Sequence, residues 1–139
     1  MIDLEEIIEK TKDLKLLYVE DNQDTREMTA MMLEDFFDTI ILSIDGEEGL
    51  QKFKENDIDI VLTDINMPKL NGIELCKKIK EIDKDVPLLI LSAHNEQIYY
   101  DDSEKIGIDG YLLKPIDIEQ FSEVLHDVIM KMKNSTGKN

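Results

Sequence analysis

Five short runs of apolar and β-branched residues alternate along the chain with segments of helical periodicity. The runs are Leu14–Val19, Thr39–Ser43, Ile58–Thr63, Val86–Leu91 and Gly110–Leu113. Runs of this length are typical of β-strands, and the third and fourth are apolar enough for strands that are covered on both faces. The pattern therefore predicts five strands, each followed by a helical segment.

The helical segments are recognised by apolar residues that recur every three or four positions. The last segment is the clearest, and the interval between the fourth and fifth strands holds the segment Asn95–Ile106. The apolar positions of the other segments, in chain order, are Met28, Met31, Met32 and Phe36; Leu50 and Phe53; Ile73, Cys76, Ile79 and Ile82; and Ile118, Phe121, Leu125, Val128, Ile129 and Met132.

Alternating strands and helices favour a parallel sheet, because right-handed crossovers place the helices on its two faces. We predict an α/β fold: a doubly wound, five-stranded parallel sheet of the flavodoxin-like type. The predicted strand order is 2-1-3-4-5, with helices on both faces. In such a sheet, ligands bind beyond the carboxyl ends of the strands, where strands 1 and 3 meet.

Four of the predicted strands run directly into polar residues that phosphoryl chemistry uses. Glu20 and Asp21 follow the first strand, Asp64 the third, Ser92 the fourth and Lys114 the fifth. Because parallel strands end at the same edge of a sheet, we expect these side chains to share one site. That site would contain three carboxylates, one hydroxyl and one ammonium group.

A cluster of carboxylates destabilises a fold unless a cation offsets the repulsion. Taken alone, Asp64 is well explained as a turn or helix cap, but beside Glu20 and Asp21 it favours a site for Mg²⁺ or a similar hard ion. With such an ion, Asp64 can attack a phosphoryl donor and form an acyl phosphate. The Lys114 ammonium and the Ser92 hydroxyl would then stabilise the phosphoryl oxygens.

Length, charge and cysteine content narrow the function classes. The 139 residues suit one domain, and the net charge of −16 argues against direct binding to nucleic acid or to an anionic membrane surface. No apolar stretch approaches the roughly 20 residues of a membrane span, and the acidic N-terminus does not resemble a secretory signal. The single cysteine, Cys76, is expected to pack in a helix and favours a reducing cytoplasm.

The predicted domain occupies residues 14–133. Residues 1–13 form a leader in which Leu4, Ile7 and Ile8 predict a short amphipathic helix over Ile2–Lys12 that packs against the domain. Residues 134–139 are polar and are expected to be a disordered tail.

Four motifs in order make the chain similar to a known family. They are Val19-Glu20-Asp21-Asn22, then Thr63-Asp64-Ile65-Asn66-Met67-Pro68 with Asn71-Gly72, then Leu91-Ser92-Ala93, and finally Gly107-Ile108-Asp109-Gly110-Tyr111-Leu112-Leu113-Lys114-Pro115. From about Leu14 to Lys133 the chain resembles the receiver (REC) domain of two-component response regulators.

The resemblance implies a role for each matching residue. It implies that Asp64 is the phosphoacceptor and that Lys114 forms an ion pair with it. It implies that Glu20 and Asp21 hold Mg²⁺ together with Asp64, with the backbone carbonyl of Asn66 as a further ligand. It also implies that Ser92 and Tyr111 are the two switch residues, and that the Lys114–Pro115 peptide bond is cis.

The resemblance further implies a phosphorylation-activated signalling switch in a phosphorelay. The phosphoryl group would come from a phosphohistidine on a sensor histidine kinase or a histidine phosphotransfer protein. A downstream protein or a second copy would dock on the face formed by the segment Asn95–Ile106, the fifth strand and the last helix, where Tyr99, Tyr100 and Tyr111 lie. The domain would catalyse only its own phosphorylation and dephosphorylation.

Two departures from the family pattern stand out. Many receivers have two aspartates where this chain has Glu20-Asp21, a familiar variant that should still bind the metal. Ile116 occupies a position where an aromatic residue is common, which we interpret as a change in packing.

Three alternatives stay open. A degenerate receiver would act through protein contacts alone, although the complete set of acids, hydroxyl and lysine argues against it. A phosphohydrolase with an aspartate nucleophile needs a second aspartate two residues later, where this chain has Asn66. A flavodoxin-like cofactor binder needs a phosphate loop of small residues after the first strand, but Glu20 and Asp21 offer carboxylates there.

Overall fold

The computed structural model describes residues 3–92 and 106–136. Its strands are β1 (Lys15–Val19), β2 (Thr39–Ser43), β3 (Ile60–Asp64), β4 (Leu88–Ser92) and β5 (Gly110–Leu113). The helices of the described ranges, named in chain order, are α1 (Leu4–Thr11), α2 (Gln23–Leu33), α3 (Gly46–Glu55), α4 (Gly72–Ile82) and α5 (Ile118–Thr136).

The five strands form one parallel sheet with the order β2-β1-β3-β4-β5. This confirms the predicted fold class and strand order. The register aligns the strand ends: Val19 lies opposite Thr63, and Ser92 lies opposite Leu113. As a result, the residues at and just beyond these ends are brought to one edge of the sheet.

Successive strand residues point to opposite faces, so the sheet has two separate apolar cores. One core joins Tyr18 and Leu62 of the sheet to α1, α2 and α5, with Phe36 and Phe121 in edge-to-face contact at 5.0 Å between ring centroids. The other core joins residues such as Val61 to α3 and α4. Helices on both faces thus hold the strand ends in fixed positions.

The N-terminal helix α1 is part of the first core. Ile7 is 3% exposed, and the Thr11 hydroxyl donates a 2.7 Å hydrogen bond to the carbonyl oxygen of Phe36. Asp3 caps the helix by accepting a hydrogen bond from the Glu5 amide. The leader therefore packs against the domain as the amphipathic pattern indicates.

Some predicted boundaries differ from those of the structure. β3 and β4 begin two residues later than predicted and end on Asp64 and Ser92, which are the last residues of their strands rather than the first beyond them. β1 begins one residue later than predicted, at Lys15. The last helix continues to Thr136, although the sequence placed residues 134–136 in a disordered tail.

Only part of the apolar set that recurs along α2 packs in the core: Met32 contacts it and Phe36 belongs to it. Met28 and Met31 are 73% and 70% exposed, whereas Thr29 and Leu33 face the sheet. Phe36 is buried, but it lies beyond the end of the helix. Where apolar residues occupy adjacent positions of a helix, spacing alone cannot select one face over the next, and the i, i+4 pair of Thr29 and Leu33 packs on the sheet.

Several predictions concern residues outside the described ranges. Among them is the segment Asn95–Ile106 apart from its last residue, with Tyr99 and Tyr100. Within the described ranges, Cys76 is buried in α4 as a packing residue, and burial raises the pKa of its thiol to about 12. None of the helices described here has the length and apolar character needed to cross a bilayer.

Candidate metal and phosphoryl site

Three acidic side chains meet beyond the carboxyl ends of β1 and β3. A carboxylate oxygen from each of Glu20, Asp21 and Asp64 lies within 4.8 Å of the other two. Glu20 and Asp64 are buried, and Asp21 is exposed to solvent. A site with one open side and oxygen ligands suits an ion that keeps part of its water shell, as Mg²⁺ does.

Glu20 is the most deeply buried of these acids, with no exposed surface. Its Oε2 accepts a hydrogen bond of 3.2 Å from the Asn22 amide. Its Oε1 lies 3.2 Å from the Nζ of Lys114, so this oxygen is paired with a cation on one side. One ammonium group faces three carboxylates whose oxygens lie within 4.8 Å of one another, and a bound cation would offset the remaining repulsion. The residues present therefore fit a divalent metal ion.

Lys114 connects two of the acids. Its Nζ lies 3.0 Å from Asp64 Oδ2 and 3.2 Å from Glu20 Oε1. Burial lowers the pKa of Lys114, but its hydrogen bond to Asp64 and the negative charges of Asp64 and Glu20 outweigh burial and raise the pKa overall. Lys114 is therefore a permanent cation at the edge of the site.

The pKa of Glu20 is raised to about 7 without a metal. Burial is the main cause and the charge of Asp64 adds to it, while the Asn22 amide and Lys114 act in the opposite direction. Such a shift is common in sites where like charges are brought together for function. A bound divalent cation would favour the ionised form of Glu20.

Asp64 is held in place by its own neighbours. The Ile65 amide donates a 2.9 Å hydrogen bond to Asp64 Oδ1, and the Thr63 hydroxyl donates a 2.9 Å bond to the Asp64 carbonyl oxygen. These contacts leave Oδ2 facing Lys114 at the acidic cluster. The arrangement presents a carboxylate in a fixed orientation next to a cation.

The other predicted site residues lie at or near the same edge. Ser92 is buried at the end of β4, and its carbonyl oxygen accepts a 2.8 Å hydrogen bond from the Lys114 amide. Tyr111 is half-buried in β5 and packs against the core that contains α3 and α4. Asn66 is exposed in the connection after β3. The roles of these three residues stay predictions.

The Lys114–Pro115 peptide bond is cis, as the family resemblance led us to expect. The bond lies directly after β5, in the turn between that strand and the segment that leads to α5.

Two further residues support the site, and the sequence analysis assigned neither a role. Gly72 is placed so that an added Cβ would overlap the Asp64 carbonyl oxygen, and its amide donates a 2.7 Å hydrogen bond to the Ile65 carbonyl.

Arg26 donates a 2.8 Å hydrogen bond from Nη1 to the Glu20 carbonyl oxygen. The only available signal for Arg26 was its rarity, because it is the one arginine among 16 basic residues.

Comparison with known proteins decides the family. A family model described as the response regulator receiver domain matches residues 16–126. The chain belongs to this family. Receiver domains are signalling modules, and the acid cluster at the strand ends is compatible with the Mg²⁺ that such domains bind. The helix α1 lies before the matched range.

Individual relatives agree with this assignment. The chain is 32% identical over 125 residues to the response regulator ArlR of Staphylococcus saprophyticus, covering 90% of this receiver and 55% of ArlR. It is 30% identical over 124 residues to the chemotaxis protein CheY-3 of Vibrio cholerae, covering 87% of this receiver and 95% of CheY-3. A receiver domain protein from Clostridium thermocellum has the same fold, with a TM-score of 0.80, 30% identity, and coverage of 87% and 98% of the two chains.

The receiver spans about half the length of several curated relatives. It covers 55% of ArlR and 48% of the transcriptional regulatory protein DegU of Brevibacillus brevis. The similarity therefore concerns the receiver portion of those regulators.

Proposed function

We propose that this receiver is a phosphorylation-activated switch that accepts a phosphoryl group on Asp64 in the presence of Mg²⁺. The observation that carries the proposal is the position of Lys114, whose ammonium lies within ion-pair distance of both Asp64 and Glu20. A carboxylate nucleophile, a fixed cation and an adjacent acidic cluster are the groups that phosphoryl transfer to an aspartate requires.

Glu20, Asp21 and Asp64 would hold the metal, with the Asn66 carbonyl as a further ligand. When bound, Mg²⁺ supplies charge neutralisation for the phosphoryl oxygens. Asp64 forms the new O–P bond as the N–P bond of the donor phosphohistidine breaks, and the electron pair of that bond stays on the imidazole nitrogen. Lys114 stabilises charge on the transferring oxygens.

The proposed switch roles of Ser92 and Tyr111 are based on the same arrangement. Ser92 ends β4 beside Lys114, so a phosphoryl group on Asp64 would offer its hydroxyl a dianionic acceptor. We propose that this contact, with a rearrangement of Tyr111, biases the face that includes β5 and α5 between two states. A downstream protein or a second copy of the receiver would recognise that face.

The phosphoryl donor is proposed to be a sensor histidine kinase or a histidine phosphotransfer protein. Such a donor must contact the surface beside Asp64, because its histidine has to reach the carboxylate. A mainly apolar cavity of about 600 Å³ adjoins the site between α2 and residues 114–118, and Lys114, Met28 and Ile118 are among its lining residues. We propose that the donor docks over this cavity and on the exposed side chain of Met31, which is 70% exposed.

Two further parts of the proposal concern activity and location. The receiver would turn over no separate metabolite, because the chemistry ends with phosphate on its own carboxylate. A cytoplasmic location is proposed because the donor class acts there and because a buried free thiol such as Cys76 persists in reducing conditions.

Beryllofluoride, which mimics a phosphoryl group on a carboxylate, tests the proposal by NMR. With Mg²⁺ present, the amide signals of Asp64, Ser92 and Lys114 should shift, and D64N should show no such shift under the same conditions. A wild-type spectrum that did not respond at these positions would favour a degenerate receiver that acts through protein contacts alone.

A further inference from the structure

Arg26 tethers α2 to the end of β1. It lies in the early part of α2, its side chain is half-buried, and its Nη1 donates a 2.8 Å hydrogen bond to the Glu20 carbonyl oxygen. It is the one arginine of the chain. A guanidinium group presents its donors in a rigid plane, which gives this contact a defined direction.

The bond to Arg26 completes the anchoring of the Glu20 backbone. The Glu20 amide donates a 3.0 Å hydrogen bond to the Ser43 carbonyl oxygen of β2. The Glu20 carbonyl oxygen accepts from Arg26 on the other side of the residue. Both peptide groups of Glu20 are therefore fixed, one by the sheet and one by α2.

Asp21 has no comparable anchor of its own. It is exposed, and within residues 3–92 and 106–136 its carboxylate makes no hydrogen bond or ion pair. Its position follows from the peptide groups on either side. Asn22 is fixed as the N-cap of α2, where its side chain accepts a 2.9 Å hydrogen bond from the Thr25 amide. The Glu20–Asp21 peptide group is fixed through Arg26.

We infer that Arg26 is a positioning residue for the metal site, because its bond to the Glu20 carbonyl orients the Glu20–Asp21 peptide group and with it the Asp21 carboxylate. The inference rests on the proposed function, in which Asp21 is a ligand of Mg²⁺. Residues that orient metal ligands contribute strongly to metal affinity, although they do not touch the ion.

The sign of the change in Mg²⁺ affinity after replacement of Arg26 distinguishes a positioning role from an effect of its charge alone. A cation near the site repels Mg²⁺, so removal of the Arg26 charge alone would strengthen metal binding. Loss of the tether instead frees the Asp21 backbone, and metal binding then has to restrict it again, which weakens binding. The two explanations for Arg26 therefore predict changes of opposite sign.

Isothermal titration of the metal-free protein with Mg²⁺ tests the inference with R26A, R26K and the control K54A. K54A removes one positive charge from an exposed position on α3. We expect R26A to weaken Mg²⁺ affinity about tenfold, within the range seen for residues that orient ligands. R26K should recover most of that loss, because an ammonium group can donate to the same carbonyl, and K54A should bind as the wild type does.

Folding is checked by the dispersion of amide NMR signals, and R26Q replaces R26A if the alanine variant does not fold. Unchanged or tighter binding in the folded variant, or R26K binding as weakly as R26A, would overturn the inference. A variant with lower stability in urea but unchanged Mg²⁺ affinity would mean a purely structural role and would overturn it as well. A wild-type receiver that bound no Mg²⁺ would refute the proposed metal site itself.

Discussion

At the scale of single residues, Glu20 combines complete burial with a negative charge. Its carboxylate is surrounded by Asp64, Lys114 and the Asn22 amide, and burial raises its pKa to about 7. The fully buried acid is therefore close to half-protonated at neutral pH when no metal is present. Competition between a proton and a metal ion for Glu20 follows directly from this pKa.

The raised pKa of Glu20 predicts a pH-dependent stability difference between the wild type and E20Q in metal-free buffer. The folded state binds the Glu20 proton more tightly than the unfolded chain does, because the pKa of Glu20 is near 4.5 in the unfolded chain. The contribution of Glu20 to the free energy of unfolding therefore falls as the pH rises from about 4.5 through 7. E20Q lacks that loss. In urea unfolding, the free energy of unfolding of E20Q relative to that of the wild type should rise by up to about 3 kcal/mol between pH 5 and pH 8.

Adding Mg²⁺ supplies the control for this prediction. The metal should stabilise the wild type more than E20Q at pH 8, because the ionised Glu20 is one of the proposed ligands. A stability difference that stayed constant across this pH range would contradict the raised pKa.

At the scale of secondary-structure elements, the connection between β3 and α4 brings Gly72 against the backbone of Asp64. The chain leaves Asp64, passes through residues 65–71 and returns so that Gly72 touches the Asp64 backbone, with its amide bonded to the Ile65 carbonyl. A side chain at position 72 has no room, because the neighbouring atom is backbone and cannot rotate away. Gly72 thus lets the helix start close to the strand end.

G72A should therefore displace Asp64 and weaken Mg²⁺ binding about tenfold or more, as misplacement of a ligand does. G107A is the matched control. Gly107 has a positive φ of 91°, but a Cβ there meets nothing closer than 3.9 Å, and the residue lies outside the acidic cluster. Both variants should lose stability in urea, but only G72A should lose metal affinity by titration. Equal Mg²⁺ affinity of the two would contradict this role of Gly72.

The helix α1 gives a second prediction at this scale. Ile7 is buried in the core that contains Phe36 and Phe121, whereas Leu4 of the same helix is 41% exposed. I7A should lower the free energy of unfolding by about 2–5 kcal/mol, the usual cost of such a cavity. L4A should change it by less than about 1 kcal/mol, as exposed positions do. Similar values for the two variants in urea titrations would mean that α1 does not pack as described.

At the scale of the whole molecule, the sequence predicted the sheet order because alternation of strands and helices leaves few topologies. It also brought Glu20, Asp21, Asp64 and Lys114 together, since parallel strands end at one edge. It did not predict the orientation of α2, where adjacent apolar positions allow more than one buried face. Contacts such as that of Arg26 with the Glu20 carbonyl join a side chain to the backbone, and no residue pattern encodes them.

The exposed face of α2 leads to a prediction about the donor. M28E combined with M31E places one negative charge in the lining of the apolar cavity and a second on the exposed surface of α2. This double variant should slow phosphorylation by a histidine kinase or phosphotransfer protein at least about tenfold. Phosphorylation by a small phosphoramidate should be unchanged, because that donor needs no docking surface. Equal rates with the protein donor, compared by radiolabel transfer, would exclude this face as the docking site.

The most direct test of the central claim is to locate the phosphoryl group after reaction with a small phosphoramidate donor. Mass spectrometry of the intact chain and of its peptides should find one phosphoryl group on Asp64 when Mg²⁺ is present. It should find none with a metal chelator and none in D64N. Phosphorylation that persisted in D64N, or that did not depend on the metal, would contradict a site in which acids, lysine and Mg²⁺ act on Asp64.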